Sequence, residues 1–151
     1  MEREHVEAIL NIVEDTPQWN YIVLTKNPKR CSNFSLPVNI WLGVKVDKQG
    51  EIKPALDFFA TFEGPVRFLY CDPLLEWLQF PTLECVEWLI VGSRAKSENG
   101  PAFVPPRLWT SSMVRQAQAV GCKVFVKYEK DSGYRQFPGN EKYGGRSSSR
   151  R

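Results

Sequence analysis

The chain has 151 residues and a mass of 17.4 kDa, with 42% apolar, 13% aromatic and 25% charged residues. That is the profile of an ordinary soluble globular domain, long enough to bury a core without disulfide or metal staples, and it excludes collagen-like, disulfide-scaffold, fully disordered and membrane classes. The formal net charge of +3 resides in Arg146, Arg150 and Arg151; the rest of the chain is neutral and lacks the basic face that phosphate-driven nucleic-acid binding needs.

The first predicted element is a helix. Val6, Ile9, Leu10 and Val13 make one apolar stripe, stopped by Asp15-Thr16-Pro17. A strand over 21–26 follows and ends at Asn27-Pro28, then a looped stretch through Asn33, Ser35 and Pro37. The run 39–46 reads as a second strand, too continuously apolar for a sheet with one wet face. After a turn at 47–50, Ile52, Leu56, Phe59 and Phe62 predict an amphipathic helix with Pro54 in its first turn, closed by Gly64-Pro65. Residues 66–71 form a third strand, stopped by Asp72-Pro73; 74–80 is a short helical or irregular crossover, and 86–92 is the fourth and most apolar strand. A polar loop leads to Pro105-Pro106, which start a helix carrying Trp109, Met113, Ala117 and Val120 and capped by Gly121; residues 123–127 are the fifth strand. Strands alternating with helical segments predict an α/β fold of parallel βαβ units. From Asp131 the pattern dissolves into an irregular or disordered basic tail, 131–151.

No secretory signal and no bilayer-length apolar run are visible, so the chain is expected to be cytoplasmic, with no membrane partner. Cys31, Cys71, Cys85 and Cys122 are scattered, with no C-x-x-C pair. They read as small core residues, and no metal site is expected. His5 is the single histidine, which leaves no Ser/His/Asp chemistry. No P-loop, no G-x-G-x-x-G and no G-x-S-x-G occurs. Trp41, Trp77, Trp88 and Trp109 read as core packing rather than base-stacking platforms, so nucleic acid is not expected as a partner.

In parallel α/β folds, ligands bind at the carboxyl ends of the strands. Those ends carry Thr25 and Lys26, Asp47, Cys71 and Asp72, Gly92 with Ser93 and Arg94, and Lys127 with Tyr128. The binding candidates are Lys26, Asp47, Asp72, Gly92, Ser93 and Lys127. Lysine supplies a point charge and aspartate accepts from hydroxyl or amino groups, which suits a small zwitterionic or anionic ligand. The alternative is a ring of ion pairs that ends the strands and keeps the rim wet. No catalytic residue is assigned.

At these same strand ends the chain resembles the phage gene-product thirty-seven/sixty-eight family, proteins similar to radical S-adenosylmethionine (SAM) (β/α) barrels. Residues 21–28 are similar to the family's vLTKRP segment, 39–47 to nvWLGVSVE, 68–75 to FLSxEPLL, 87–92 to the first half of dWVIVGGESG, and 120–127 to aGvpFFFKQ. These stretches follow one another in the family's order over about 17–128. The resemblance implies a partial (β/α) barrel over 1–130, from a protein associated with phages or mobile elements. It also implies that the family's cysteine-cluster segment and first barrel strands have no counterpart in this chain. SAM and a [4Fe–4S] cluster would then enter only if an N-terminal partner completed the barrel. The family's two motif glutamates are Asp47 and Asp72 here, the glycine-acidic loop is Gly92-Ser93-Arg94, and Lys26 and Lys127 are retained. Five strands leave open edges. A complementary half-barrel, a homodimer through the open edge, or flattening into an open sheet would each answer that. The implied function is a binding or assembly module inactive by itself, with the C-terminal subunit of a split radical-SAM enzyme as the alternative.

Overall fold

The structure, a computed structural model, describes residues 2–98, 100–128 and 133–139. Strands β1 (Tyr21–Thr25), β2 (Ile40–Lys45), β3 (Val66–Cys71), β4 (Trp88–Val91) and β5 (Lys123–Val126) form one parallel sheet in the order β1-β2-β3-β4-β5. The helices are α1 (Arg3–Glu14), α2 (Pro28–Cys31), α3 (Gln49–Thr61) and α4 (Arg107–Ala119). Spatial order equals chain order, so the sheet has no reversal of the kind that opens a crevice in doubly wound folds. The progression is that of consecutive strands in a (β/α) barrel.

The two faces of the sheet differ in kind. Val44 and Val46 of the β2 run, Leu69 and Cys71 of β3, Leu89 and Val91 of β4, and Val124 and Val126 of β5 share a buried cluster with Ile52, Leu56 and Phe59 of α3 and Met113, Val114 and Ala117 of α4. Ile40 and Leu42 extend this face to Val13 of α1. The opposite face is aromatic and, among the described residues, carries no helix. Val66, Phe68, Trp88 and Ile90 are buried there, with Trp41, Tyr70 and Phe125 packed against them. Side chains alternate between faces along a strand, so burial on both sides is what makes β2, β3 and β4 read as unbroken apolar runs. Gly43 belongs to the aromatic face because a Cβ there would stand 2.1 Å from the Phe68 ring; the ring occupies the space a side chain would fill.

The two edges also differ. Along β5, the outward Val126 N–H donates to Tyr134 O (2.8 Å), Gln136 N–H donates to Val124 O (2.9 Å), and Val124 N–H donates to the Gln136 side chain (3.1 Å). Phe137 packs on Trp88 and Phe125, and Trp88 Nε1 donates to Gln136 O at 2.9 Å. Residues 134–137 therefore run antiparallel beside β5, with an isolated bridge between Phe125 and Arg135. Apart from this bridge, residues 133–139 are irregular, as expected of the tail; the rest of the expected tail lies outside the described residues. Among the described residues β1 pairs with β2 alone, and Ile22, Val23 and Leu24 are exposed.

Two local features depart from the sequence reading, and one alternative is decided. The one-turn α2 replaces part of a predicted loop, started by Asn27, whose side chain accepts from Arg30 N–H. Helix α3 begins at Gln49, so Pro54 sits inside it rather than in its first turn. Its start is held by Glu51, which accepts from Asp47 N–H (2.7 Å) and Lys48 N–H (3.2 Å), and by the Gln49 side chain, paired in both directions with the Gln79 backbone. Of the two forms expected for the crossover from β3 to β4, the irregular one is present; Leu74, Leu78, Leu83 and Val86 bury themselves against the helical face. Among the described residues no helix is long and apolar enough to cross a membrane.

Candidate functional site

The strand-end residues fall in one transverse row. Lys45 pairs in register with Tyr70, Cys71 with Val91, and Val91 with Val126. The ladder continues past the strands through Val46 N–H to Tyr70 O, Gly92 N–H to Cys71 O and Lys127 N–H to Val91 O. Carrying the register on places Asp47, Asp72, Gly92 and Lys127 side by side, all on the aromatic face.

Asp72 is the centre of this row. Its Oδ2 accepts from Lys127 Nζ at 2.5 Å and from Tyr70 OH at 2.9 Å, and Lys127 Nζ also lies 3.3 Å from Tyr70 OH. Asp72 and Lys127 stand two strands apart, about 10 Å between backbones, with Gly92 between them. A Cβ on Gly92 would meet Asp72 Oδ1 at 2.0 Å, so the carboxylate lies across the glycine to reach the ammonium. This is a close approach that glycine alone permits. The Asp72 side chain is 12% exposed and that of Lys127 46%; the pair is half sunk in the face and open to a ligand on the lysine side.

The β1–β2 end forms a second cluster. Lys45 Nζ is 3.3 Å from Asp47 Oδ2, while Asp47 Oδ1 is buried with no hydrogen-bond partner among the described residues. Lys26, Lys45, Asp47, Gly50 and Glu51 line a cavity of about 210 Å³ beside this pair. Lys26 itself is exposed and makes no ion pair among the described residues.

The structure therefore brings Asp47, Asp72, Gly92 and Lys127 into one row, sets Lys26 beside it, and leaves Ser93 next to Gly92. It separates the other strand-end residues. Thr25, Cys71 and Tyr128 each occupy alternate positions that face the helices: Cys71 is fully buried in the helical core, Tyr128 packs on that core and shares a hydrogen bond with Thr110, and Thr25 accepts from Asn27 N–H. Arg94 is tied to its own loop, its Nε donating to Pro101 O and its backbone pairing with Phe103. Lys45 and Tyr70 complete the row and escape a reading that stops at strand ends. The signal was present, since each precedes its aspartate by two and a period of two keeps them on one face.

Hydrogen bonding to Asp72 is the main cause that raises the Lys127 pKa, opposed by burial and aided by Tyr70. The ammonium is thus held charged, a binding group rather than a base. All four cysteines are free. Burial drives the Cys71 thiol far up and the Cys122 thiol up to about 12, and it also raises Cys31 and Cys85. Among the described residues no three His, Cys, Asp or Glu side chains gather as metal ligands.

These shifts fix the pH response. A thiol or ammonium whose folded pKa lies above its unfolded value stabilises the fold below the unfolded value, and that contribution is lost as pH climbs through the folded one. Stability is therefore expected to fall from about pH 8.5, where unfolded thiols ionise, and further above about 10.4, where unfolded lysine does. Melting temperatures across this range check it. A Cys71→Ala/Cys122→Ala variant is expected to flatten the slope above about pH 8.5 without removing it, since Cys31, Cys85 and Lys127 still contribute, and an unchanged slope would contradict the assignment.

No curated protein and no solved structure matches the chain. A family model described as "Protein of unknown function (DUF5131)" matches residues 1–146. With nearly the whole chain covered, this protein belongs to the DUF5131 family.

Proposed function

We propose that the chain is a binding module built on part of a radical-SAM-like (β/α) barrel, with no catalytic turnover of its own, and that its strand-end row holds a small zwitterionic or anionic ligand. The observation that carries this reading is Asp72 lying across Gly92 to Lys127. A merely structural ion pair has no need to bridge two strands through a glycine gap at the site where parallel sheets bind ligands. The half-exposed ammonium offers a charge to a carboxylate or phosphate, and Tyr70 OH beside it supplies a further polar atom. The link to radical-SAM barrels, and to phages or mobile elements, rests on the strand-end motifs.

Titration calorimetry with SAM, methionine and inorganic phosphate tests the reading. At least one of these is expected to bind, and Lys127→Met to weaken it tenfold or more. Protein incubated with iron and sulfide is expected to show no cluster absorbance in the visible. No binding by any of the three ligands, or equal binding by Lys127→Met, would refute the rim; a stoichiometric cluster on this chain would refute the non-catalytic reading. One observation favours the split-enzyme alternative. The uncovered β1 edge, with Ile22 60% exposed, offers a place for further barrel strands from a partner, which would then bring the cluster and SAM chemistry with it.

A further inference from the structure

We infer that β1 is a homotypic docking edge, and that two copies of this chain pair β1 against β1 antiparallel about a two-fold axis at Val23. Tyr21 N–H donates inward to Asn39 O at 2.9 Å. By the alternation of a strand, Tyr21, Val23 and Thr25 point their backbone groups at β2, while Ile22 and Leu24 point theirs outward. In an antiparallel pair centred on Val23, Ile22 of one copy lies opposite Leu24 of the other. These two exchange both N–H···O bonds, and the symmetry repeats the exchange on the far side of the axis. Val23 then faces its own copy in the intervening non-hydrogen-bonded position.

The side chains fit the same operation. A two-fold axis normal to the sheet keeps each face continuous. Ile22 meets Leu24 on the aromatic face, and Tyr21 meets Thr25 on the helical one. No charged residue lies between Trp19 and Thr25, and Lys26 falls opposite Asn20, so no like charges meet. The edge has none of the devices that keep strands apart, with no lysine, proline or bulge in Tyr21–Thr25. Its apolar side chains are exposed: Ile22 60%, Leu24 45%, Val23 37%, and Trp19 beside them 64%. The other edge, on β5, is covered by residues 134–136 of the same chain.

This inference rests on the assembly part of the proposed function and leaves the Asp72–Gly92–Lys127 part of the rim untouched, because those residues lie at the ends of β3, β4 and β5. Sedimentation equilibrium of the wild-type chain is expected to give twice 17.4 kDa. Ile22→Pro, which removes an outward donor without touching the bonds to β2, and Leu24→Lys are both expected to give monomers with unchanged circular dichroism. In a Cys31→Ser background, Val23→Cys is expected to form a disulfide dimer on mild oxidation, since non-hydrogen-bonded pairs place Cα atoms about 4.5 Å apart. Ile22→Cys, which faces Leu24 and not itself, is expected to form far less. A monomeric wild type with intact rim binding would overturn this inference alone and return the edge to a strand from a different polypeptide. A dimer that survives Ile22→Pro would also overturn it.

Discussion

Replacing Gly92 with alanine is expected to lower the melting temperature by about 4–10 °C and to abolish ligand binding at the rim. The added Cβ would stand 2.0 Å from Asp72 Oδ1 and 2.1 Å from its carboxyl carbon. Neither side can yield cheaply. The Gly92 backbone is bonded through its N–H to Cys71 O and its carbonyl to Leu74 N–H, and the carboxylate is held by Tyr70 and Lys127. The carboxylate must swing off the row, which leaves the ammonium without its partner. Overpacking costs about 1–3 kcal/mol, and the charge-assisted hydrogen bonds add to that. At this chain length each kcal/mol moves the melting point by about 2–4 °C. Lys127→Met separates the two effects, because it removes the pair without crowding. It should lose binding to the same degree with a smaller drop in melting temperature. A Gly92→Ala protein that melts with wild type and retains its ligand would show that Asp72 has another place to go.

A comparable loss of stability is expected at the opposite end of the sheet, where Glu87→Ala should cost about 2–4 kcal/mol. The Glu87 carboxylate accepts from Arg67 Nη2 (2.6 Å), Arg67 Nε (3.1 Å) and the Arg67 backbone N–H (2.7 Å), and Arg67 Nη1 donates to Phe59 O (3.0 Å). One fork thus ties the start of β3, the entry to β4 and the last turns of α3. Its side chains are only 20% and 26% exposed, so water replaces the lost acceptors incompletely, and Glu87 is the main cause that raises the Arg67 pKa. Removing one partner of such a pair strands the other, whereas replacing both by apolar groups does not. Urea unfolding checks this directly: Arg67→Met/Glu87→Leu should recover most of what Glu87→Ala loses, and simple additivity of the two sites would contradict the account.

How far these sites were legible from residues alone follows from the range of the interactions. The five strands were legible because each is a short apolar run cut by Pro, Gly or Asp, and β3 coincides with its predicted bounds. The strand-end rule then picked Asp47, Asp72, Gly92 and Lys127 together. It over-collected Thr25, Cys71 and Tyr128, and missed Lys45 and Tyr70, because alternation is hidden in strands buried on both faces. The start of α3 was not legible. Gly50 and Pro54 both disfavour a helix, and part of what offsets them comes from Gln79, thirty positions away. The role of Gly92 was hidden for the same reason: its missing side chain is the space another strand's carboxylate occupies.

The cover that residues 134–136 place on β5 sets the valency of the sheet. A parallel sheet with both ends open can add copies at either end, and head-to-tail addition that does not close grows into a filament. Among the described residues the β5 end is occupied by its own chain and β1 is left as the open edge, so the proposed β1 pairing would stop at two copies. On that proposal the short antiparallel segment after β5 would act as a chain terminator, and its removal would convert a closed association into an open-ended one.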